Sequence, residues 1–422
     1  MKTWFRHLSA LAVIACCSAS LQAQEVRQDQ SPLRINGFGT LGVTSSQAPD
    51  GWLFRRDAAQ YPSDHVTTLE TDSRFGLQAH YEVNPQLELA SQVVHKRRLP
   101  GSKPFESVEW LYAAFKPTDA VMVRVGRTNP DLFLLSDYRN VGVAYPWVRP
   151  STDLYAALPL YTMDGTDVSY AWQQQDARWR LKTFLGSGDT RATSATSREQ
   201  VIFQLRSAGG AILTREQDGM LMRATLGGAR MKAESAASAY AARDRLRSLQ
   251  SHPDPTVAQQ ARELEKNWGL ETDTALFAEL GISYDRDDWI WSAEYALVRI
   301  SSGTRSAQSA YVSLGRRIGD FTVYGMLGRS LSKLPVQNTP DWTGISSDAQ
   351  TLATQLTYGI NGSRARQSTL SLGTRWDFHP QMALKVQLDH FWVSPTGSGL
   401  WVGPSLSAAR PNVLSATLDF TF

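Results

Sequence analysis

From Leu33 to Phe422 the chain repeats one pattern: apolar and polar residues alternate with period two, in runs of roughly 9 to 13 residues separated by turn residues. A strand points successive side chains to opposite faces, so each run carries one greasy and one polar surface. In the last run Leu414, Ala416, Leu418, Phe420 and Phe422 share one face, and Ser415, Thr417, Asp419 and Thr421 share the other. One such run fits a soluble sandwich equally well; the argument rests on repetition and spacing.

The runs come in pairs joined by tight turns. Phe75 to Val83 and Leu87 to Val94 flank Asn84-Pro85; Leu276 to Asp285 and Trp289 to Ile300 flank Arg286-Asp287. Gly319-Asp320 and His379-Pro380 join two more pairs. Counting on places strands at 33–44, 73–83, 86–96, 107–116, 120–127, 165–173, 177–186, 200–216, 219–231, 273–285, 288–300, 308–318, 320–330, 366–378, 381–394 and 412–422, sixteen in all. The pattern is weakest between 165 and 231, where Ser207 to Ala211 interrupts it. Tight turns follow the even strands and long linkers the odd ones, so both termini share one side. That asymmetry marks an outer-membrane β-barrel.

A strand-based span in lipid must close on itself, because hydrocarbon offers backbone groups no partner. Apolar residues then face outward, with Trp289, Trp291, Tyr295, Trp376, Phe378, Trp392, Phe420 and Phe422 near strand ends, where interfacial girdles sit. The flanks are expected to meet outer-membrane lipids and lipopolysaccharide. The predicted fold is all-β: a sixteen-stranded antiparallel transmembrane barrel with long extracellular loops and short periplasmic turns, one domain over 24–422.

Ahead of it, Lys2 and Arg6, the apolar stretch Leu8 to Ala15, and Leu21-Gln22-Ala23 read as a cleaved signal peptide over 1–23. The rival reading is a lipobox at Val13 to Cys16. Both cysteines (Cys16, Cys17) lie in that segment, so the remaining chain has no thiol for catalysis, disulfides or zinc. Of 43 Lys+Arg and 40 Asp+Glu, only Lys2 and Arg6 fall there, which leaves a near-neutral body with no basic footprint for nucleic acid. No apolar run reaches the ~20 residues that a helix needs to span lipid. His65, His80, His95, His252, His379 and His390 show no metal-ligand spacing, and there is no Gly-x-Ser-x-Gly elbow. No cofactor and no enzymatic activity are expected. His80 is assigned inward beside Gln78 and Glu82, and His390 outward.

Three connections stand out. Residues 45–72 read as a polar extracellular loop. Residues 232–272 read as a helical extracellular loop, Ala233 to Leu249 and then Val257 to Trp268, broken by Pro253 and Pro255. Residues 128–164 form the third.

These residues resemble the Gram-negative trimeric porins. Ser73-Arg74-Phe75-Gly76-Leu77, running on to Asn84-Pro85 and Leu87, looks like that family's second and third strands. Trp110 to Lys116 with Val125-Gly126-Arg127 looks like its next hairpin, and Phe422 with Phe420 matches its terminal assembly signal. The resemblance implies a homotrimer, delivery by the barrel-assembly machinery through Phe422, and a third loop folded into the lumen. Acidic loop residues would there face a ladder of wall arginines. Arg74 matches one such arginine; Glu109 stands where the next is expected, and the loop carries Tyr145-Pro146-Trp147 in place of the family's Pro-Glu-Phe-Gly-Gly run.

A sixteen-strand barrel is too wide for side chains to fill and encloses water, so lumen charge sets selectivity. Alternation assigns Arg74, Gln78, Glu82, Arg124, Arg178, Arg180, Lys182, Arg223, Glu279, Glu294, Arg375, Asp377, Lys385 and Asp389 inward. The expected pore-lining set joins Arg74, Glu109, Arg124, Arg127, Arg180, Lys182, Arg223, Arg375 and Lys385 to Asp131, Asp137, Arg139 and Arg149 of the constriction loop. The reading is a porin for passive diffusion of small hydrophilic solutes with weak anion preference, set against charges that merely pair along the wall. Alternatives are a channel specific for a dicarboxylate, phosphate or sugar, or less favoured a barrel enzyme or adhesin. Tyr138, Tyr145, Trp147, Tyr155 and Tyr161 supply either an aromatic slide for sugars or the packing of the loop.

Overall fold

Each strand of the computed structural model pairs antiparallel with its sequence neighbour, and the last closes onto the first. The structure describes residues 31–156, 160–196, 198–235, 237–268, 272–301, 306–333, 335–403 and 406–422; the signal peptide expected over 1–23 lies outside them. The strands are β1 (Leu33–Gln47), β2 (Arg74–Asn84), β3 (Leu87–Lys96), β4 (Val108–Thr118), β5 (Val121–Thr128), β6 (Met163–Gln174), β7 (Ala177–Thr193) and β8 (Gln200–Gln217). They continue as β9 (Met220–Glu234), β10 (Thr272–Arg286), β11 (Trp289–Ile300), β12 (Ala307–Ile318), β13 (Phe321–Ser332), β14 (Ala365–His379), β15 (Met382–Ser398) and β16 (Asn412–Thr421). A two-residue strand, Thr67–Thr68, extends the β1 ladder beyond the start of β2.

The barrel closes from Phe38 opposite Thr421 to Gln47 opposite Asn412. At this seam the outward Phe420 and Phe422 lie over Gly39 and Gly37, where a Cβ would come within 2.3 and 2.1 Å of their rings. Phe422 also stacks on Phe75, with centroids 5.8 Å apart. Two glycines in β1 thus make room for the aromatic end of β16.

The interruption at Ser207 is a β-bulge. Ser207 adopts φ 53°, and the register slips from Gly186 opposite Ala208 to Gly188 opposite Leu205. The ladder continues past it, so β7 runs on to Thr193, beyond its expected end at 186, alongside the stretch of β8 that starts at Gln200 as expected.

Outward positions carry the apolar residues: Ile35, Leu185, Leu226, Leu280 and Leu314 are all exposed. Outer aromatics stack in rows at the turn end, as in Tyr170–Trp172–Trp179, Tyr284–Trp291 and Phe321–Trp376–Phe378. Packing of ordinary core rings does not describe them, because they cover the outside of the cylinder. His390 lies on the same face, its ring 4.5 Å from that of Trp392.

The helices lie in the connections: the single turn α1 (Thr152–Tyr155), α2 (Ala237–Leu249), α3 (Pro255–Trp268) and α4 (Ser347–Gly362). α2 and α3 lie within 232–272, but β9 runs to Glu234, so the first helix starts at Ala237 and not at Ala233; Asp254 caps the second, accepting from Thr256 N at 2.8 Å. The reading of three long connections missed α4, which Ser346 caps by accepting from Ala349 N at 3.0 Å. Leu246, Val257, Ala261 and Leu264 pack against Trp342, Leu352, Ala353 and Ile360, so the fifth and seventh loops share one small helical core.

Candidate functional site

The third loop leaves β5 at Asn129-Pro130, where proline ends the ladder and Asp131, at φ 55°, turns the chain inward. Asn129 Oδ1 accepts from Asp131 N at 3.1 Å, an Asx turn that fixes the entry.

Its first leg lies on the walls of β7 and β9 to β11. Arg223 Nη1 donates to Asp131 Oδ1 at 2.7 Å, while Lys182 and Arg180 sit 3.5 and 3.8 Å from Oδ2. These three cations outweigh burial and hold the Asp131 carboxyl far below the usual carboxylate range. Leu134 N donates to Glu294 Oε2 at 2.9 Å, and Phe133 meets Phe277 edge-on at 5.4 Å.

The middle leg crosses to β14–β16, β1 and β2. Lys385 Nζ donates to three loop carbonyls, Gly142 O, Tyr145 O and Trp147 O, at 2.6, 2.8 and 2.9 Å, and sits 3.0 Å from Asp419 Oδ2. Arg375 Nη1 reaches Val143 O and Tyr145 O at 2.8 and 3.0 Å. Arg74 donates to Asn140 O at 2.6 Å and to Tyr145 Oη at 2.7 Å. Gly142 lets the loop backbone touch the wall, since a Cβ there would fall 1.8 Å from Asp419 Oδ1. Trp147 Nε1 then donates to Ser313 Oγ at 2.7 Å, and Arg149 is buried between Asp72 and Asp389. The last leg, α1, seats Tyr155 on Glu294 and receives a bond from Gln367 to Asp153 Oδ1 at 2.9 Å.

The sequence-predicted set therefore divides. Arg74, Arg149, Lys182, Arg223, Lys385 and Asp131 lie inside the cylinder but are buried in contacts between loop and wall; the expectation of water-facing charges is corrected for them. Unpaired loop carbonyls and buried carboxylates need those donors more than the bore does. Arg127 is corrected outright. Its neighbour in parity, Val125, is exposed on the lipid face, and Arg127 pairs there with the outward Asp164 at 2.7 Å and stacks on Phe105 at 4.0 Å. Glu109 occupies the extra position of a bulge between Gln92 opposite Trp110 and Val93 opposite Val108, which turns it inward to Lys96 at 3.0 Å and Arg98 at 3.5 Å. Arg124, on the inner face over Tyr112, pairs with Asp167 at 2.9 Å, and Asp137 lies half-buried on the loop. Arg139 stacks over Tyr161 at 3.8 Å.

Tyr145, Trp147 and Tyr155 are buried against the wall, so packing of the loop accounts for them and an aromatic slide does not. The alternation missed Asp72 and Arg56, which lie in the first loop and carry no periodic signal. Lys96 and Asp419 share the parity of inward neighbours and were legible by that rule.

Loop and wall together leave an asymmetric lumen. The inner faces of β10–β16 are covered: Glu279, Glu294, Ser313, Gln387, Ser415, Thr417 and Asp419 are at most 2% exposed. Opposite them, Gln78, His80, Tyr112, Arg124, Arg178 and Arg180 of β2, β4, β5 and β7 stay partly accessible.

No protein-family model and no curated protein matches the sequence. Solved structures match its shape. An anion-selective porin from Comamonas acidovorans is 11% identical, with 92% of this chain and 100% of that chain covered at a TM-score of 0.51. OmpF of Salmonella typhi, in complex with daunomycin, is 12% identical over 92% and 97% at 0.51. OmpT of Vibrio cholerae, described as outer-membrane expressed, is 12% identical over 93% and 99% at 0.50. The fold is the sixteen-stranded barrel of the outer-membrane porins.

Proposed function

We propose that this chain is a non-enzymatic outer-membrane porin that passes small hydrophilic solutes by passive diffusion and prefers anions. The observation that carries the reading is the asymmetry of the lumen. Water has its way along β2–β7, where inward positions that stay accessible present Lys96, Lys116, Arg124, Arg178 and Arg180 against Glu82 and Glu88. Glu82 and Glu88 sit at the turn end together with Lys116 and Arg178, and beyond them Lys96, Arg124 and Arg180 leave the rest of the passage cationic. A cationic wall facing a low-dielectric loop concentrates anions in the passage.

The same reading includes export by the segment 1–23, delivery through Phe422 and an outer-membrane setting among lipids and lipopolysaccharide. A homotrimer fits the shared fold, with β-strand flanks that are apolar all round. Reversal potentials across a planar bilayer in a salt gradient test it: anion permeability above cation permeability is expected, and cation selectivity overturns the anion preference. Absence of any conductance from folded protein overturns the channel itself and favours an adhesive or structural barrel.

A further inference from the structure

Between the first loop, the third loop and the extracellular end of β3 lies a small cleft that opens to solvent. Arg56, Lys96, Arg98 and Arg139 line it, with Tyr161 as its aromatic side. Arg97 lines it too, but is tied to Glu70 at 2.6 Å. The acids that face this group are Glu109, which takes Lys96 at 3.0 Å and Arg98 at 3.5 Å, and Asp57 on the first loop. Arg56 also faces Asp72, which Arg149 already pairs, so four cations meet two carboxylates that Arg149 does not hold.

The cations are not used up by the protein. Arg139 is only 7% exposed, yet among the described residues neither its Nε nor its Nη2 has a hydrogen-bond partner. Arg98 Nε has none either. Tyr161 holds the Arg139 guanidinium flat at 3.8 Å and Lys96 Nζ at 4.9 Å from its ring. An orphaned buried guanidinium is costly unless something accepts its protons, and its planar fork matches two oxygens of one acid group.

We propose that this vestibule is a binding site for a small oxyanion of two negative charges, seated on Arg139 and Arg98 with Lys96 and Arg56 supplying the remaining field. The proposal rests on the channel reading and deepens it: the solute would dwell on this site before passing the third loop. Phosphate and a dicarboxylate share the required chemistry.

Calorimetric titration of the folded full-length chain in detergent, with inorganic phosphate in one arm and succinate in the other, tests it without relying on conductance. Saturable binding of at least one probe is expected, with neither chloride nor a neutral sugar competing. The arm that saturates names the source. Affinity should fall tenfold or more in Arg139→Gln and in Arg98→Gln, and stay unchanged in Arg127→Gln on the outer face. The heat-induced gel shift verifies that each variant is folded, and Arg139→Lys serves if the glutamine variant is not. No saturable binding by the unaltered chain, or equal affinity in the variants, overturns the site. Anion-selective conductance would in that case still leave the channel reading standing.

Discussion

Arg149 Nη2 lies 2.6 Å from Asp72 Oδ2, and both side chains are buried. Through this pair the third loop is tied to the first, and the same guanidinium reaches Asp389 on β15 at 2.5 Å. Burial by itself would raise the Asp72 carboxyl; the charge of Arg149 and its hydrogen bond outweigh it and hold the group at about 2. The loop is therefore clamped into the lumen by a charge trio, beside which the ammonium of Lys385 gathers three of its carbonyls.

Arg149→Met is expected to release the middle leg of the loop. It leaves Asp72 and Asp389 buried without a counter-charge, a loss of about 3–5 kcal/mol. The barrel ladders do not depend on it, so the heat-induced gel shift should survive while single-channel conductance and current noise rise. In the unaltered chain the Asp72 contribution is present above the ordinary carboxylate value of 3.8 and is lost as pH falls from there toward about 2. The conductance of the unaltered chain should move toward that of the variant over this acid window.

Asp153 carries the opposite pH dependence. Buried beside Gln367 and Thr369, its carboxyl is pushed up from 3.8 to about 6, chiefly by desolvation. The folded loop thus favours the protonated acid, and the stability this contributes is complete below 3.8 and is lost as pH rises through about 6. The gap between the two values corresponds to roughly 3 kcal/mol as an upper figure. Asp153→Asn keeps an acceptor for Gln367 and removes the charge. At pH 7 the variant should show a quieter open channel and a higher unfolding temperature than the unaltered chain, with the difference vanishing near pH 4.

The alternation made the barrel legible because a cylinder wall has only two sides, and β10 to β16 follow that rule over most of their length, with bulges between β14 and β15. It failed at Glu109, which is inward through an inserted residue; Arg127 keeps the outward parity of Val125, so its place in the pore-lining set ran against the rule. The resemblance to known porins brought the loop into the lumen but not its contacts, since the clamp of Arg149, Asp72 and Asp389 joins residues from three distant segments. α4 escaped notice because its buried stripe, Ala349, Leu352, Ala353, Leu356 and Ile360, faces the helices of another loop and sits in a polar connection.

The cations left accessible on β7 should set ion preference. Arg180 keeps 30% of its side chain exposed and is the most distant of the three cations around Asp131, at 3.8 Å, so it acts on the bore as well as on the loop. Arg178→Glu with Arg180→Glu is expected to lower the ratio of anion to cation permeability several-fold or reverse it, read as the shift in reversal potential. Arg127→Glu, equal in charge change per residue but facing lipid, should leave that potential where it was. A shift of the same size from both would mean that the wall residues of β7 hold no special position in the passage.

The seam gives a prediction about folding rather than selectivity. Phe422 lies over Gly37 and stacks on Phe75 at 5.8 Å, closing the outer surface where the first and last strands meet. A leucine at position 37 would place its Cβ 2.1 Å from the Phe422 ring, so the ring must swing out into lipid and lose both contacts. Overpacking of this kind costs about 1–3 kcal/mol. Phe422→Ala removes the same contacts without the clash and, by opening a gap over glycine, should cost a similar amount. Combining the two substitutions should restore part of the loss, because the leucine then fills the space that the ring vacates. Urea midpoints of the folded barrel in detergent, measured for both single variants and the double, would reveal that coupling; strictly additive losses would show that Gly37 and Phe422 do not act on one another.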